Sequence, residues 1–571
     1  MKLLAQIKQS IESYLLKTHG IAEDAQLILS DLNHADFQYN GALKFAKQLG
    51  VAPLKIAEEI VEQLTQYVQD VEIKAVAPGY VNFIYTQSYI EDALAPLVTG
   101  DVKPNIVDKK RIMVEYTDPN TFKVFHIGHL MTNAIGESLA RLFEYGGHDV
   151  IRANYQGDVG RHIAQAIYGV LNGDIQRPAD DAPLKEKTEY LGKCYVYGAQ
   201  QFEASDDAKA KIREINAHIY NNDNEEINAW NQKGRNWSLE RFEELYKILN
   251  TKFNYYFFES QTAPIGLEKV KANIPSVFVE SDGAIVFKGE EYGLHTRVFI
   301  NKEGLPTYEA KDVGLAYLKH EKEPKLNISI TVTANEQAEY FKVMKKAVEC
   351  IDLKIASPMM HVYHGMMSGP GGKKMSSRKG DVVTGESLIE DAMERAREVI
   401  EEHYKDKKTA AEKDAIAEAV AVAAIKFTIL KQDSSKNIMF DLEKALSFEG
   451  DSGPYLLYTN ARLCSIIRKS SGLMNVLGRM FSAKKSDPVG ELERVLMQFP
   501  IVAERAVEAM ESHRITTYAL ELSRAINSWY GSHKVIGSGE YEAYRLRVVQ
   551  AAQQTLKTCI ELLGMKAVEE M

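Results

Sequence analysis

At 571 residues the chain exceeds the ~250–300 residues that one hydrophobic core sustains, so three or four domains are expected. Hydrophobic residues at 45% and charged residues at 26% exclude a disordered or low-complexity protein, and a net charge of −10 excludes indiscriminate binding to polyanions. Four cysteines (Cys194, Cys350, Cys464, Cys559) lie far apart with no CxxC pair, which excludes a disulfide framework and a structural zinc site.

After Met1, "KLLAQIKQSIESYLL" sets Lys8 and Glu12 among apolar residues at helical spacing, the pattern of an amphipathic helix rather than a secretory leader. The most apolar run, "AVAVAAI" (Ala419–Ile425), is far shorter than the ~20 residues of a membrane span. A cytoplasmic location without a membrane partner is expected.

Residues 1–105 read as a small α+β unit. Helical patterns around 3–16 and 41–70 precede "VEIKAVAPGYVNFIY", a strand alternation broken at Pro78-Gly79. The polar linker "TGDVKPNIVDKK" closes the unit. "RIMVEY" (Arg111–Tyr116) then reads as a buried strand and "TDPNTFKVF" as a loop. "HIGHLMTNAIGESLARLFEYGG" is a helix with Leu130, Ala134, Ile135, Leu139, Leu142 and Phe143 on one face and a left-handed stop at Gly146-Gly147. "DVIRANY" is the next strand, so His126 and His129 stand at the first helical turn of a β-loop-α-β unit.

From about 165 to 280 the pattern is polar, charged and helical, an insertion in the sheet. "GAIVF", "RVFI" and "NISITVT" return to apolar strand patterns, as a doubly wound parallel sheet requires. From Tyr455 the pattern is helical to the end, a bundle. Residues 453–571 hold 15 Lys and Arg against 12 Asp and Glu, a mildly basic segment behind an acidic body. The expected fold is α/β: a Rossmann-type doubly wound parallel catalytic sheet with an N-terminal α+β domain and a C-terminal all-α helical bundle. The boundaries are 1–105, 106–385 with the insertion, a helical connector 386–452, and 453–571.

A helix N-terminus offers unpaired N–H groups and roughly half a positive charge, so it is a ready anion site. In "FHIGHL" two imidazoles three residues apart project to one side there, and Gly128 lets a flat ring approach the backbone. Phosphate binding and a metal pair are both compatible with the tetrapeptide alone. A second segment, "GPGGKKMSSRKGDVV" (Gly369–Val383), joins mobile glycines to two hydroxyls and to Lys373, Lys374, Arg378 and Lys379, a composition suited to closing on a leaving pyrophosphate.

The two segments, in this order, resemble the HIGH and KMSKS signatures of class I aminoacyl-tRNA synthetases. "VEYTDPNTFKVFHIGHLMTNAIGESLARLFEYGGHDVIRANYQGDVGRH", "GLPTYEAKDVGLAYLK" and "GPYLLYTNARLCSIIRK" resemble the catalytic core, amino-acid pocket and anticodon-binding domain of the arginyl member. "DFQYNGALKFAKQLG" and "APGYVNFIY" resemble its additional N-terminal domain. The resemblance implies an ATP-dependent arginine–tRNA ligase acting on arginine, ATP with Mg²⁺ and tRNA(Arg), without a structural metal, as a monomer that needs tRNA for the activation step. It implies phosphate contacts from His126, His129 and Lys374, an ATP site including Gly128, Met375 and Ser376, and an arginine pocket of Glu115, Asn120, Tyr308, Asp312 and Gln337. It further implies tRNA contacts from Tyr80 and Asn82 to the D-loop and from Tyr455, Tyr458, Asn460 and Arg462 to the anticodon.

The residues agree with an arginine pocket, because a planar fork of five donors requires carboxylates in fixed geometry. In "PTYEAKD" Tyr308 and Asp312 lie four apart on one helix face. Where KMSKS has its second lysine this chain has Ser377, and Lys123, three residues before His126, is the expected source of the missing charge. A small-molecule nucleotidyltransferase with a His-x-Gly-His site and a synthetase-derived RNA-binding protein are the alternatives.

Overall fold

The computed structural model describes residues 2–104, 106, 108–372, 383–404, 408–470 and 485–571. They form two compact units: residues up to 108 with 141–147 and 444–571, and residues 109–140 with 148–443.

In the first unit β1 (Leu27–Leu29), β2 (Phe37–Tyr39), β3 (Val71–Val76) and β4 (Tyr80–Tyr85) make an antiparallel sheet in the order β1-β2-β4-β3. Alternation in β4 buries Val81, Phe83 and Tyr85, and Phe83 stacks on Phe37 with ring centroids 4.7 Å apart. The helix expected over 41–70 is two helices, Gly41–Leu49 and Pro53–Thr65. Gly50, at φ 67°, ends the first and Pro53 opens the second. The same unit holds the helices Gly453–Lys469, Glu491–Ala509, Ser512–Ser532 and Glu542–Leu562. The buried Asp36 carboxylate joins the two ends of the chain: it accepts the Tyr85 N–H at 2.7 Å and Arg494 at 3.1 Å.

The second unit is built on five parallel strands: β5 (Arg111–Glu115), β6 (Asp149–Gln156), β7 (Tyr255–Phe258), β11 (Ile328–Ala334) and β12 (Met359–His364). Their order is β12-β11-β5-β6-β7. The chain runs outward from β5 through β6 to β7, then returns to lay β11 and β12 on the other side of β5. The crevice beyond the carboxyl ends of β5 and β11 is therefore the topological switch point, where open α/β sheets bind ligands.

Two expectations are corrected. "GAIVF" and "RVFI" do not join the parallel sheet: as β9 (Ala284–Phe287) and β10 (Arg297–Ile300) they pair with β8 (Val279–Ser281) in a separate antiparallel sheet. The insertion does not run unbroken to 280, because β7 lies inside that range as an edge of the main sheet. Before it, the helices Arg161–Asn172, Leu184–Ala204, Asp206–Asn221 and Glu225–Ile248 pack around their own core, which includes Ile163, Ile167, Leu191, Ile212 and Trp237.

The helix Ile127–Tyr145 follows β5, and its predicted apolar face, Leu130, Ala134, Ile135, Leu139, Leu142 and Phe143, is buried. Asn133, Glu137 and Ser138 are buried as well, so the helix is enclosed nearly all round. At Gly136 an added Cβ would fall 2.2 Å from Cγ of Tyr116, so the missing side chain allows this helix to seat against the end of β5.

Candidate active site

The segment between β5 and the helix Ile127–Tyr145 is strained and pinned. Thr117, Asp118 and Phe122 hold φ of 80°, 44° and 63°, left-handed conformations costly for residues other than glycine. They are fixed from outside: Thr117 accepts a hydrogen bond from Asn133 at 3.0 Å, and the Phe122 N–H donates to Ser238 at 3.0 Å. Thr121 gives both its N–H and its hydroxyl to the Gly157 carbonyl, each at 3.0 Å.

His126 precedes the first helical turn and His129 lies within it. Their rings stack with centroids 3.4 Å apart and planes 23° apart. The His126 N–H donates to Nδ1 of His129 at 3.2 Å, and the His129 N–H to Nδ1 of His126 at 3.4 Å. With both Nδ1 atoms acting as acceptors, both rings carry their proton on Nε2. The desolvation of its ring by surrounding protein, though His126 stays partly exposed, and the charge of Lys123 lower His126 to about 4, while burial, His126 and Lys123 hold His129 well below the usual imidazole value. The pair thus offers two neutral Nε2–H donors. The space over Gly128 is taken by the His126 ring, whose Cε1 would lie 2.9 Å from a Cβ there.

These groups border a cavity of about 890 Å³ at the switch point. The expected arginine residues Glu115, Asn120, Tyr308, Asp312 and Gln337 all line it, with His126, Gly128 and His129. Glu115 ends β5 and Asn120 bridges to Gly157, where an added Cβ would strike the Asn120 Oδ1 at 2.0 Å. Tyr308 and Asp312 lie on the helix Tyr308–Lys322, and Gln337 in the turn before the helix Ala338–Ile351.

Cations of the protein already hold three carboxylates of this wall. Lys319 lies 2.7 Å from Glu115, Lys311 2.6 Å from Glu259, and Arg297 3.1 Å from Glu309. Asp118 and Asp312 line the cavity with no cationic partner among the described residues. Burial, then Glu115, pushes Asp118 well above the carboxylate range. Burial, with Glu115 and Glu259, raises Asp312 to about 7, against the opposing hydrogen bond from Tyr340 and the charge of Lys319. The cleft thus holds two carboxyls that burial and neighbouring carboxylates push toward the neutral form.

Sequence reading missed Asp118, Lys319 and Tyr340. Asp118 was in the quoted loop and Lys319 stands two helical turns after Asp312, while nothing local marks Tyr340. Lys123 does not line the cavity; its ammonium lies 4.8 Å from the Tyr195 ring centroid. Lys374, Met375 and Ser376, with Ser377, lie outside the described residues.

At the other expected contacts, Tyr80 is half-buried and Asn82 is buried, its Oδ1 without a hydrogen-bond partner. On the helix Gly453–Lys469, the Asn527 amide donates to the Tyr455 hydroxyl at 2.9 Å. Arg462 donates to Asn527 at 2.8 Å and to Tyr458 at 3.0 Å. Asn460 departs from the expectation of a surface contact: it is 1% exposed, and its amide bonds the Val568 carbonyl at 2.8 Å and Gln553 at 3.1 Å. It faces the bundle interior because one face of this helix is core.

Comparison with known proteins gives the family. Residues 92–442 match the model of the class I (R) tRNA synthetase catalytic domain, 456–571 the DALR anticodon binding domain, and 3–85 the arginyl tRNA synthetase N terminal domain. The chain is 31% identical over 546 residues to an arginine–tRNA ligase of Streptococcus agalactiae, with 93% of each covered. It belongs to the arginyl-tRNA synthetase family. An arginine–tRNA ligase of Clostridium perfringens is 28% identical, with 92% of this chain and 93% of the relative covered. The fold is that of the Thermus thermophilus arginyl-tRNA synthetase, with a TM-score of 0.81 and 24% identity over 100% of both chains.

Proposed function

We propose that the cavity joins arginine to ATP and passes the arginyl group to tRNA, the arginine–tRNA ligase reaction. The observation that carries this reading is the meeting, in one cavity, of two neutral imidazole donors with two carboxyls that have no cationic partner among the described residues. The guanidinium would fit Asp312, with Tyr308 beside it, and Asn120 and Gln337, which line the same cavity, would orient the other end of the amino acid. The arginine carboxylate attacks the α-phosphorus of ATP-Mg²⁺, the bond to pyrophosphate breaks, and arginyl-adenylate forms. The terminal ribose hydroxyl of tRNA then attacks the arginyl carbonyl and AMP leaves. Little covalent work falls to the protein, so its role is positioning and electrostatics.

The Nε2–H groups of His126 and His129 would donate to phosphate oxygens as negative charge spreads over them. Mg²⁺ would arrive with ATP, and Lys374 would close on the pyrophosphate. tRNA would be held through Tyr80 and Asn82 at one end and Tyr455, Tyr458 and Arg462 at the other, and the protein would work as a cytoplasmic monomer. The matched anticodon binding domain favours this reading over a small-molecule nucleotidyltransferase.

The pH dependence tests it. A cation binds ionised Asp312 more tightly, and this carboxyl is half-protonated near pH 7, so arginine binding releases a proton. The arginine KM is expected to fall about tenfold between about pH 6 and pH 8, then level, while the ATP KM does not follow it. An arginine KM flat across that range would remove Asp312 from the cation site.

A further inference from the structure

We propose that Tyr340 is a positioning residue of the amino-acid site: its hydroxyl, bonded to Oδ2 of Asp312, aims the other carboxylate oxygen at the substrate cation. The inference rests on the reading of the cavity as an arginine site. Tyr340 stands on the helix Ala338–Ile351 and Asp312 on the helix Tyr308–Lys322, so the bond ties two elements that line the cavity from different sides. It is the one hydrogen bond made to the Asp312 carboxylate among the described residues.

Tyr340 is itself fixed. The Arg297 guanidinium lies 5.2 Å from its ring centroid, and Arg297 is anchored 3.1 Å from Glu309 on the helix of Asp312. A cation against the ring is attracted to its face and draws electron density from the phenol, which improves the hydroxyl as a donor. The arrangement Glu309, Arg297, Tyr340, Asp312 thus begins and ends on one helix.

Asp312 is faced by Glu115 from β5, Asp118 from the following loop, Tyr155 from β6, Glu259 from the helix Glu259–Ala272 and Lys319 from its own helix. Of these, Glu115 and Glu259 oppose its ionisation. Lys319 assists it but is already bound to Glu115. The hydroxyl of Tyr340 is the remaining group that favours the charged form. Removing it should therefore act most where Asp312 is partly protonated.

The test is Tyr340→Phe in the full chain, measured by arginine- and tRNA-dependent aminoacylation across about pH 6 to 9. The phenyl ring is kept, so a packing role alone predicts no change in the pH profile. The expected result is an arginine KM raised about tenfold near pH 6, with the excess shrinking to about twofold or less near pH 9, and kcat at saturating arginine unchanged. The KM profile should move about one unit toward alkaline pH. A profile superimposable on that of the parent, or a loss confined to kcat, overturns the proposal. Asp312→Asn measured alongside separates the two levels. If it leaves the arginine KM unchanged, the arginine site itself is misplaced. If it raises the KM while Tyr340→Phe does not, Tyr340 alone is excluded.

Discussion

Lys123→Ala should lower kcat for arginine activation by about 10²–10³-fold with little change in arginine KM, the behaviour of a contact made mainly in the transition state. The geometry of the two histidines strengthens the expectation. Both rings are neutral and give N–H groups, so neither brings a full positive charge to the phosphate. Ser377 occupies the place of the second lysine of KMSKS. Lys123 is close enough for its charge to depress His126, His129 and His162. Its hold on the Tyr195 ring, with both groups half-buried, is of the kind worth about 0.5–2 kcal/mol, which a phosphate would displace. Adding Ser377→Lys should restore part of the rate by returning a cation from the other side. If Lys123→Ala keeps more than half of the activity, Arg378 and Lys379 become the next candidates.

Asp312→Asn should raise the arginine KM a hundredfold or more at alkaline pH and leave ATP binding nearly intact. Removing one partner of a buried charge pair costs about 3–5 kcal/mol, and about 1.4 kcal/mol is a factor of ten. The loss should be smaller near pH 6, because there the parent carboxyl is already largely protonated. Lysine should not become a good substrate, since an ammonium does not span the site of a planar fork. A KM change below about threefold, or under ~0.7 kcal/mol, would contradict the pocket assignment.

Much of the frame was legible because it depends on local pattern. A buried run, a loop with Asp118-Pro119, and an apolar helix after "HIGH" specify β5 and the helix behind it, and the switch point follows from the order of strands. What failed was what one residue cannot report about its partner. The apolar runs of β9 and β10 read equally as parallel or antiparallel strands, since both kinds bury Val, Ile and Phe. The edge strand β7 spans only "YYFF", too short to interrupt a helical pattern. Asn460 reads as polar and exposed, but its amide is used by groups 93 and 108 residues away. Tyr340 is likewise 28 residues from Asp312, on another helix.

The measurement that bears most directly on the account is amino-acid-dependent ATP–pyrophosphate exchange, run with and without tRNA(Arg). We expect exchange with arginine when tRNA is present, negligible exchange with arginine alone, and none with lysine under either condition. Robust arginine-dependent exchange without RNA would show that the site does not need tRNA to assemble. Exchange indifferent to arginine would contradict the cavity as an arginine-activating centre.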